Sequence, residues 1–374
     1  MKLRTCILSV LFCIGIAGCA NTKNTEESSN PITAEEGIEN NIDSESGTTE
    51  TVIDETILDH LSVQSDMLIP QKKLSSYRAE LKQFDCEKTA AVVWPTSTKD
   101  GIQKEVMDDN SAAMNYENGQ LSVNRGTLIY RKDHQTSYLD TLLSYAEEKD
   151  ILPEKDLEFM TKEEAQKEAE QFLSQLGVEE NLDMPKIVAA SKEDLEKIQD
   201  TMNKDADYSV VLNAKNIAKS EFENRKGVYY IVYPFRLNNL PVYGRDDPTV
   251  QMTGDDERAL LAYPMEAIVM ISDSGIEEVN LEGVLEQLEV ESENQEIIQY
   301  EGIKDALKEK FGDVILTEDY KVIHIWMEYF PLIKADSFDQ VEVVPVWCCD
   351  FEINGDAGVD YTLRFNAFTG EEIS

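Results

Sequence analysis

Positive charge and histidine are both scarce in this chain of 374 residues. Only His60, His134 and His324 are present, and 34 basic residues stand against 74 acidic ones, a formal charge of −40. Three imidazoles leave little material for a nucleophile activated by a histidine base. The shortage of cations argues against nucleic acid as a partner, because phosphate binding needs a basic footprint. An anionic lipid surface repels the same body, and plain solubility accounts for most of the charge. No Cys-x-x-Cys pair, Cys/His zinc spacing, Gly-x-Ser-x-Gly, His-Glu-x-x-His, phosphate loop or dinucleotide fingerprint occurs. No apolar run beyond the first seventeen residues approaches the length needed to cross a bilayer.

What is present begins with an address. Lys2 and Arg4 precede an apolar stretch from Cys6 to Ala17, the length of a signal-peptide core and too short to span a membrane as a helix. Ile16-Ala17-Gly18-Cys19 resembles the bacterial lipobox, which implies lipidation of Cys19; ordinary secretion with cleavage after a small residue is the alternative. Two acyl chains hold a protein at a membrane far better than one, so anchoring needs no transmembrane helix. The expected location is the outer face of the cytoplasmic membrane, with the lipid as the membrane contact.

Residues 1–18 therefore read as a lipoprotein signal peptide and 19–58 as a disordered acidic tether, poor in large apolar side chains. A coil of about 36 such residues spans roughly 30–36 Å. The body keeps Cys86, Cys348 and Cys349, an odd number. Buried thiols are one reading; a disulfide from Cys86 to either of the adjacent pair is the other, and on a strand only one of two neighbours points at a given partner.

The predicted fold class is α+β, a β-rich N-terminal region over 59–155 followed by two units in which a helix packs on an antiparallel sheet, 156–290 and 291–374. Asn118-Gly119 is expected to supply the turn of a hairpin, with a second turn at Asn124-Arg125-Gly126. Thr161 to Glu164 has the spacing of a capping box, followed by Ala165, Ala169, Phe172, Leu173 and Leu176 at helical intervals until Gly177. DYSVVLNAK, VYYIVYPFRLNNLPVYG and MEAIVMISDSGIEEV read as strands. Ile303, Ala306, Leu307 and Phe311 mark another helix, and the later segments VIHIWMEYF, VEVVPVWCCDFEI and DYTLRFNAFTGEEI repeat the strand pattern.

The helix EEAQKEAEQFLSQLG, then YPFRLNNLPVYG, then a strand closing on an Asp-x-Gly turn resemble the PepSY and thermolysin-propeptide group of modules. The tandem arrangement is similar to the YycH/YycI regulatory lipoproteins of Gram-positive envelopes, over residues 160 to 374. In the second copy FPLIKADSFDQVEVVPVWC replaces the NNLPVYG element. The whole layout also resembles clostridial lipoproteins that carry a domain of unknown function. The resemblance implies cystatin-like units and a non-enzymatic module that binds or restrains another envelope protein.

Candidate chemistry is thin. His324 alternates with apolar neighbours and reads as a strand histidine whose bonds are satisfied. Asp350-Phe351-Glu352-Ile353-Asn354-Gly355 places oxygens like the start of a calcium loop, but Tyr361 stands where the twelfth-position Glu belongs, which favours a plain hairpin turn. The acidic loop Asp246-Asp247 to Glu257 is a weaker calcium candidate. Tyr229, Tyr230, Tyr233, Phe235 and Tyr243 read as core, with an exposed aromatic edge as the alternative. No catalytic, cofactor-binding or metal-ligating residue is assigned, no cofactor is called for, and Cys19 is the one site residue. The leading expectation is an anchored interaction or regulatory module for an envelope protein. The alternatives are a solute-binding lipoprotein, which calls for alternating βαβ units, and a wall hydrolase working through two carboxylates, one with a raised pKa.

Overall fold

The structure, a computed structural model, describes residues 49–69, 72–97, 101–106, 111–133, 136–149, 151, 155–205, 208, 225–243, 258–259, 265–334, 337–355, 359 and 361–373. They form a mixed α+β body rich in strand. Its first sheet joins β1 (Thr49–Leu58), β2 (Leu61–Ile69), β3 (Lys73–Leu81), β12 (Arg258–Ala259), β15 (Leu285–Glu296), β16 (Tyr320–Lys334), β17 (Ser337–Ile353), β18 (Tyr361–Asn366) and β19 (Glu372–Ile373). The second runs β4 (Gln103–Val106), β5 (Ala112–Tyr116), β6 (Gly119–Asn124), β7 (Thr127–Arg131), β14 (Gly275–Glu282), β13 (Glu266–Ser272), β9 (Gly227–Pro234), β8 (Lys186–Ser191) in spatial order. A short ribbon, β10 (Arg236–Leu237) with β11 (Leu240–Pro241), stands apart. Pairing within the sheets is antiparallel except between β2 and β16.

The long ribbon of β16 and β17 is the axis of the first sheet. One end of β17 pairs with β3 and the other with β18, while β16 carries β2 and β12 on its far side. Thr49–Leu58 falls within the segment expected to be tether, yet it pairs with β2 from Thr49 to Leu58. Its alternation explains why: Ile53 and Ile57 turn inward at period two while Val52, Asp54 and Thr56 stay exposed. Strands of the N-terminal region and of the following segment share the second sheet, because β7 pairs with β14.

Among the described residues five helices cover these sheets: α1 (Cys86–Val93), α2 (Thr136–Glu148), α3 (Lys162–Gln175), α4 (Lys192–Met202) and α5 (Tyr300–Gly312). The capping box at Thr161 is formed, with Glu164 returning a bond to the Thr161 amide, and Ala165, Ala169 and Leu173 line the buried face of α3. Ser191 and Asp194 build a second box at the start of α4. One core cluster spans both sheets, and a smaller one lies where α2 and α4 cover the outer face of β8, β9 and β13.

One turn corrects the expectation, that of the β5–β6 hairpin. Tyr116 pairs with Gly119, so the central residues are Glu117 and Asn118, with Glu117 at φ +53°. Gly119 lies in the strand instead, where an added Cβ would sit 3.0 Å from Trp94 Nε1; close approach, not turn geometry, needs the glycine there. The second turn ends at Gly126, at φ +68° and hard against Leu81.

The sheets are stitched at two places. Lys82 N–H donates to Val284 O, Val284 N–H to Gly126 O, and Gly126 N–H to Lys82 O, closing a ring where the chain leaves β14 for β15. At the second, Tyr243 N–H donates to Tyr329 O and Met265 N–H to Tyr243 O. Beside that contact Glu328 and Arg364 are buried together: Arg364 Nε donates to Glu328 Oε1 at 3.1 Å, and the guanidinium lies 4.8 Å from the Phe330 ring centre and 5.4 Å from that of Tyr243. Removing one partner of such a pair strands a buried charge. Arg364→Ala is expected to cost about 3–5 kcal/mol of unfolding free energy, and the double replacement Glu328→Leu with Arg364→Met to recover most of it, read from urea midpoints.

Candidate functional site

The residues singled out by the sequence go to separate places. Cys19, His134 and the loop from Asp246 to Glu257 lie outside the described residues, as does most of DYSVVLNAK. His60 sits at the β1–β2 turn, its Nδ1 2.6 Å from Asp319 Oδ1. That contact, with the nearby Asp59 charge, raises its pKa. His324, half-exposed on β16, places Nδ1 3.3 Å from Asp350 Oδ2, and Thr362 Oγ1 donates to Asp350 Oδ1 at 2.6 Å. These bonds hold the imidazole on the strand, and Asp350 is used up by two neighbours.

The oxygens of the calcium-like run do not converge. Asp350 turns to Thr362 and His324, Glu352 pairs with Lys321 at 2.9 Å, and Asn354 accepts from the Asp319 amide at 3.1 Å. Asn354 and Gly355, at φ +56° and +72°, instead form the turn that leaves β17. The three body cysteines are free thiols, Cys86 half-buried and the adjacent pair fully buried. Burial raises the pKa of both Cys348 and Cys349, and Cys348 Sγ donates to Glu328 Oε1 at 3.4 Å.

The aromatic cluster is core on both sides of β9. Tyr229 and Tyr233 enter the main cluster, Tyr230 the smaller one under α2 and α4, and Phe235 and Tyr243 are buried as well. No exposed aromatic edge forms from these rings.

A different group, missed by sequence reasoning, gathers on the outer face of the second sheet. Along β14, Val279 and Leu281 enter the core, so Glu278, Asn280 and Glu282 take the opposite face. Arg131 lies across from Glu278 on β7, and its Nε donates to Glu278 Oε1 at 3.0 Å, with that carboxylate fully buried. Glu266 lies across from Glu282 on β13. Thr127 Oγ1 donates to Glu282 Oε2 at 3.3 Å. Burial pushes the Glu282 carboxyl up to about 7, against smaller downward pulls from Thr127 and Arg131. Asn280 Oδ1 is buried with no hydrogen-bond partner among the described residues. Alongside, the phenol of Tyr230 is raised by burial and by the charges of Asp140, Glu266 and Glu278, and it shares a 3.0 Å hydrogen bond with Ser144 Oγ.

A carboxyl raised by burial across from a second carboxyl is the arrangement from which two acids can take different protonation states at one pH. A groove of about 850 Å³ lies elsewhere, between the outer face of α3 and residues 178–185, with Gln166, Glu170, Ser174 and Asp183 on its walls. Among the described residues no three His, Cys, Asp or Glu side chains are placed to hold a metal ion.

No family model and no curated protein matches the chain. Among the solved structures similar in fold is that of an uncharacterized protein from Eubacterium rectale ATCC 33656. It matches at 16% sequence identity with a TM-score of 0.52, over 86% of this chain and 93% of that one.

Glu282 sets a pH dependence whose sign is fixed by the direction of its shift. The folded state holds the proton more tightly than the unfolded chain, so the group's contribution is fully present below about pH 4.5 and is lost as pH rises through about 7. Glu282→Gln is expected to be more stable than the parent above pH 7, by on the order of 1–3 kcal/mol, and to show no gain at pH 4, measured by urea unfolding across pH.

Proposed function

We propose that this chain is a lipid-anchored lipoprotein on the outer face of the cytoplasmic membrane, acting as a non-catalytic interaction or regulatory module for an envelope protein. Cys19 carries the lipid, and the tether that follows sets the body away from an anionic surface that its own charge opposes. The helix-bearing halves from residue 156 onward are read as PepSY/YycI-like units, by the resemblance of EEAQKEAEQFLSQLG and NNLPVYG to that group. The observation that carries the proposal is that both sheets end in strands with a side unpaired among the described residues, the surface on which extended partners dock.

A solute-binding role would call for alternating βαβ units, whereas the sheets here are antiparallel apart from β2 with β16. A second reading, hydrolysis of a wall polymer by two carboxylates, draws support from the raised Glu282 carboxyl, across from Glu266 on the neighbouring strand.

Two measurements test the proposal. Mass spectrometry of the native protein should find an acylated amino-terminal Cys19, and Cys19→Ser should move the protein from the membrane to the soluble fraction; an unmodified terminus refutes the anchor. Cross-linking of the anchored protein in intact cells should recover the same envelope protein repeatedly. Hydrolysis of purified wall polymer that Glu282→Gln abolishes would overturn the non-catalytic reading in favour of the second.

A further inference from the structure

The free strands differ in how they are guarded. β15 breaks register with β3 at three points and bears Gln287 and Asn294 at positive φ, devices that bend an edge away from strangers. β4 is four residues long and β19 two, while β8 runs directly into α4, which packs against it. β1 is more lightly guarded: its one register shift falls near its end, between Thr56 and Leu58, and α5 packs against its inner face. The strand keeps an unbroken register with β2 from Thr49 to Thr56, and it contains no proline, no lysine and no residue at positive φ.

An inward-pointing charge is another common guard, and Glu55 occupies such a position. It is cancelled here: Lys304 Nζ on α5 donates to Glu55 Oε2 at 2.6 Å, a bond that lowers the Glu55 pKa. The other face of β1 presents Val52, 75% exposed, with Asp54 and Thr56; Asp66 on β2 lies directly across from Val52. Among the described residues nothing pairs with the outer edge of this strand.

From these features we propose that β1 is the docking edge, receiving an extended segment of a partner protein that bears lysine or arginine and adds to the sheet as a tenth strand. This rests on the interaction-module reading and says where and by what chemistry the partner binds. Backbone groups of β1 supply the ladder, Val52 an apolar contact, and Asp54 and Asp66 select for positive charge, reinforced by the net charge of the whole chain. A second copy of this chain is a poor occupant, because self-pairing of β1 would set its own carboxylates against each other.

The test uses the mature chain and two synthetic nine-residue peptides of alternating valine with lysine or with glutamate, followed by amide hydrogen exchange resolved to single residues. The lysine peptide is expected to slow exchange of alternate β1 amides at least tenfold, and the glutamate peptide to leave them unchanged. Val52→Lys and Asp54→Lys, both at exposed positions, should abolish that protection without shifting the urea midpoint, whereas Val290→Lys on β15 should leave it intact. Protection on β15 or β4 alone, protection by both peptides alike, or none at all overturns the assignment of β1. If cross-linking in cells nonetheless recovers a recurrent partner, the interaction reading survives that failure; if no partner is recovered either, both fall.

Discussion

A guanidinium held between a buried carboxylate and two aromatic rings is the constraint around which the first sheet is organised. Arg364 on β18 reaches past Cys348 on β17 to Glu328 on β16, so one ion pair ties three neighbouring strands. The rings it touches, Phe330 and Tyr243, belong to the strand at the axis and to the crossover from the second sheet. A buried pair of this kind contributes little net stability over an apolar replacement, but it penalises every register except the one that brings the charges together. The two-sheet architecture and the shared core follow from that alignment, together with the ring of backbone bonds at Lys82, Gly126 and Val284.

Polar groups divide into two populations with different physical roles. Inside the sheets, carboxylates such as Glu277, Glu278 and Glu328 are each matched by an arginine, Arg225, Arg131 and Arg364 respectively. In a chain with so few cations, placing three of them on buried acids leaves the surface strongly negative. That surface is what an approaching partner meets first, and it favours association with basic surfaces at low ionic strength.

Local signals in the sequence were read well where a single turn or cap decides the geometry. Thr161 with Glu164 and the glycine after Arg125 each act within a few residues, and each stands where expected. The β5–β6 turn was misplaced by one residue because Gly119 suits a turn equally well, and nothing local reveals that Trp94 needs the space. Pairings such as β7 with β14, or β3 with β15, join segments about 150 and more than 200 residues apart, and alternation alone carries no information about partners. The carboxyl strip was missed for a related reason. In IEEVNLE the alternation reads as acids facing water, and only the neighbouring strands, with α2 and α4 packed across part of the same face, turn that face into a low-dielectric one. The start of β1 was hidden by composition, since Thr, Glu and Asp dominate it and only Ile53 and Ile57 betray an inward side.

The adjacent thiols of β17 carry one last implication. Cys348 and Cys349 point to opposite sides of a strand at the centre of the sheet, both held as neutral, inert sulfhydryls. Fraying at either margin of the molecule leaves them sealed, and only rupture of the central ribbon releases them. Alkylation at these two positions, as opposed to half-buried Cys86, would therefore mark molecules that had come apart and not those that had merely breathed, giving the protein an internal record of its own mechanical integrity.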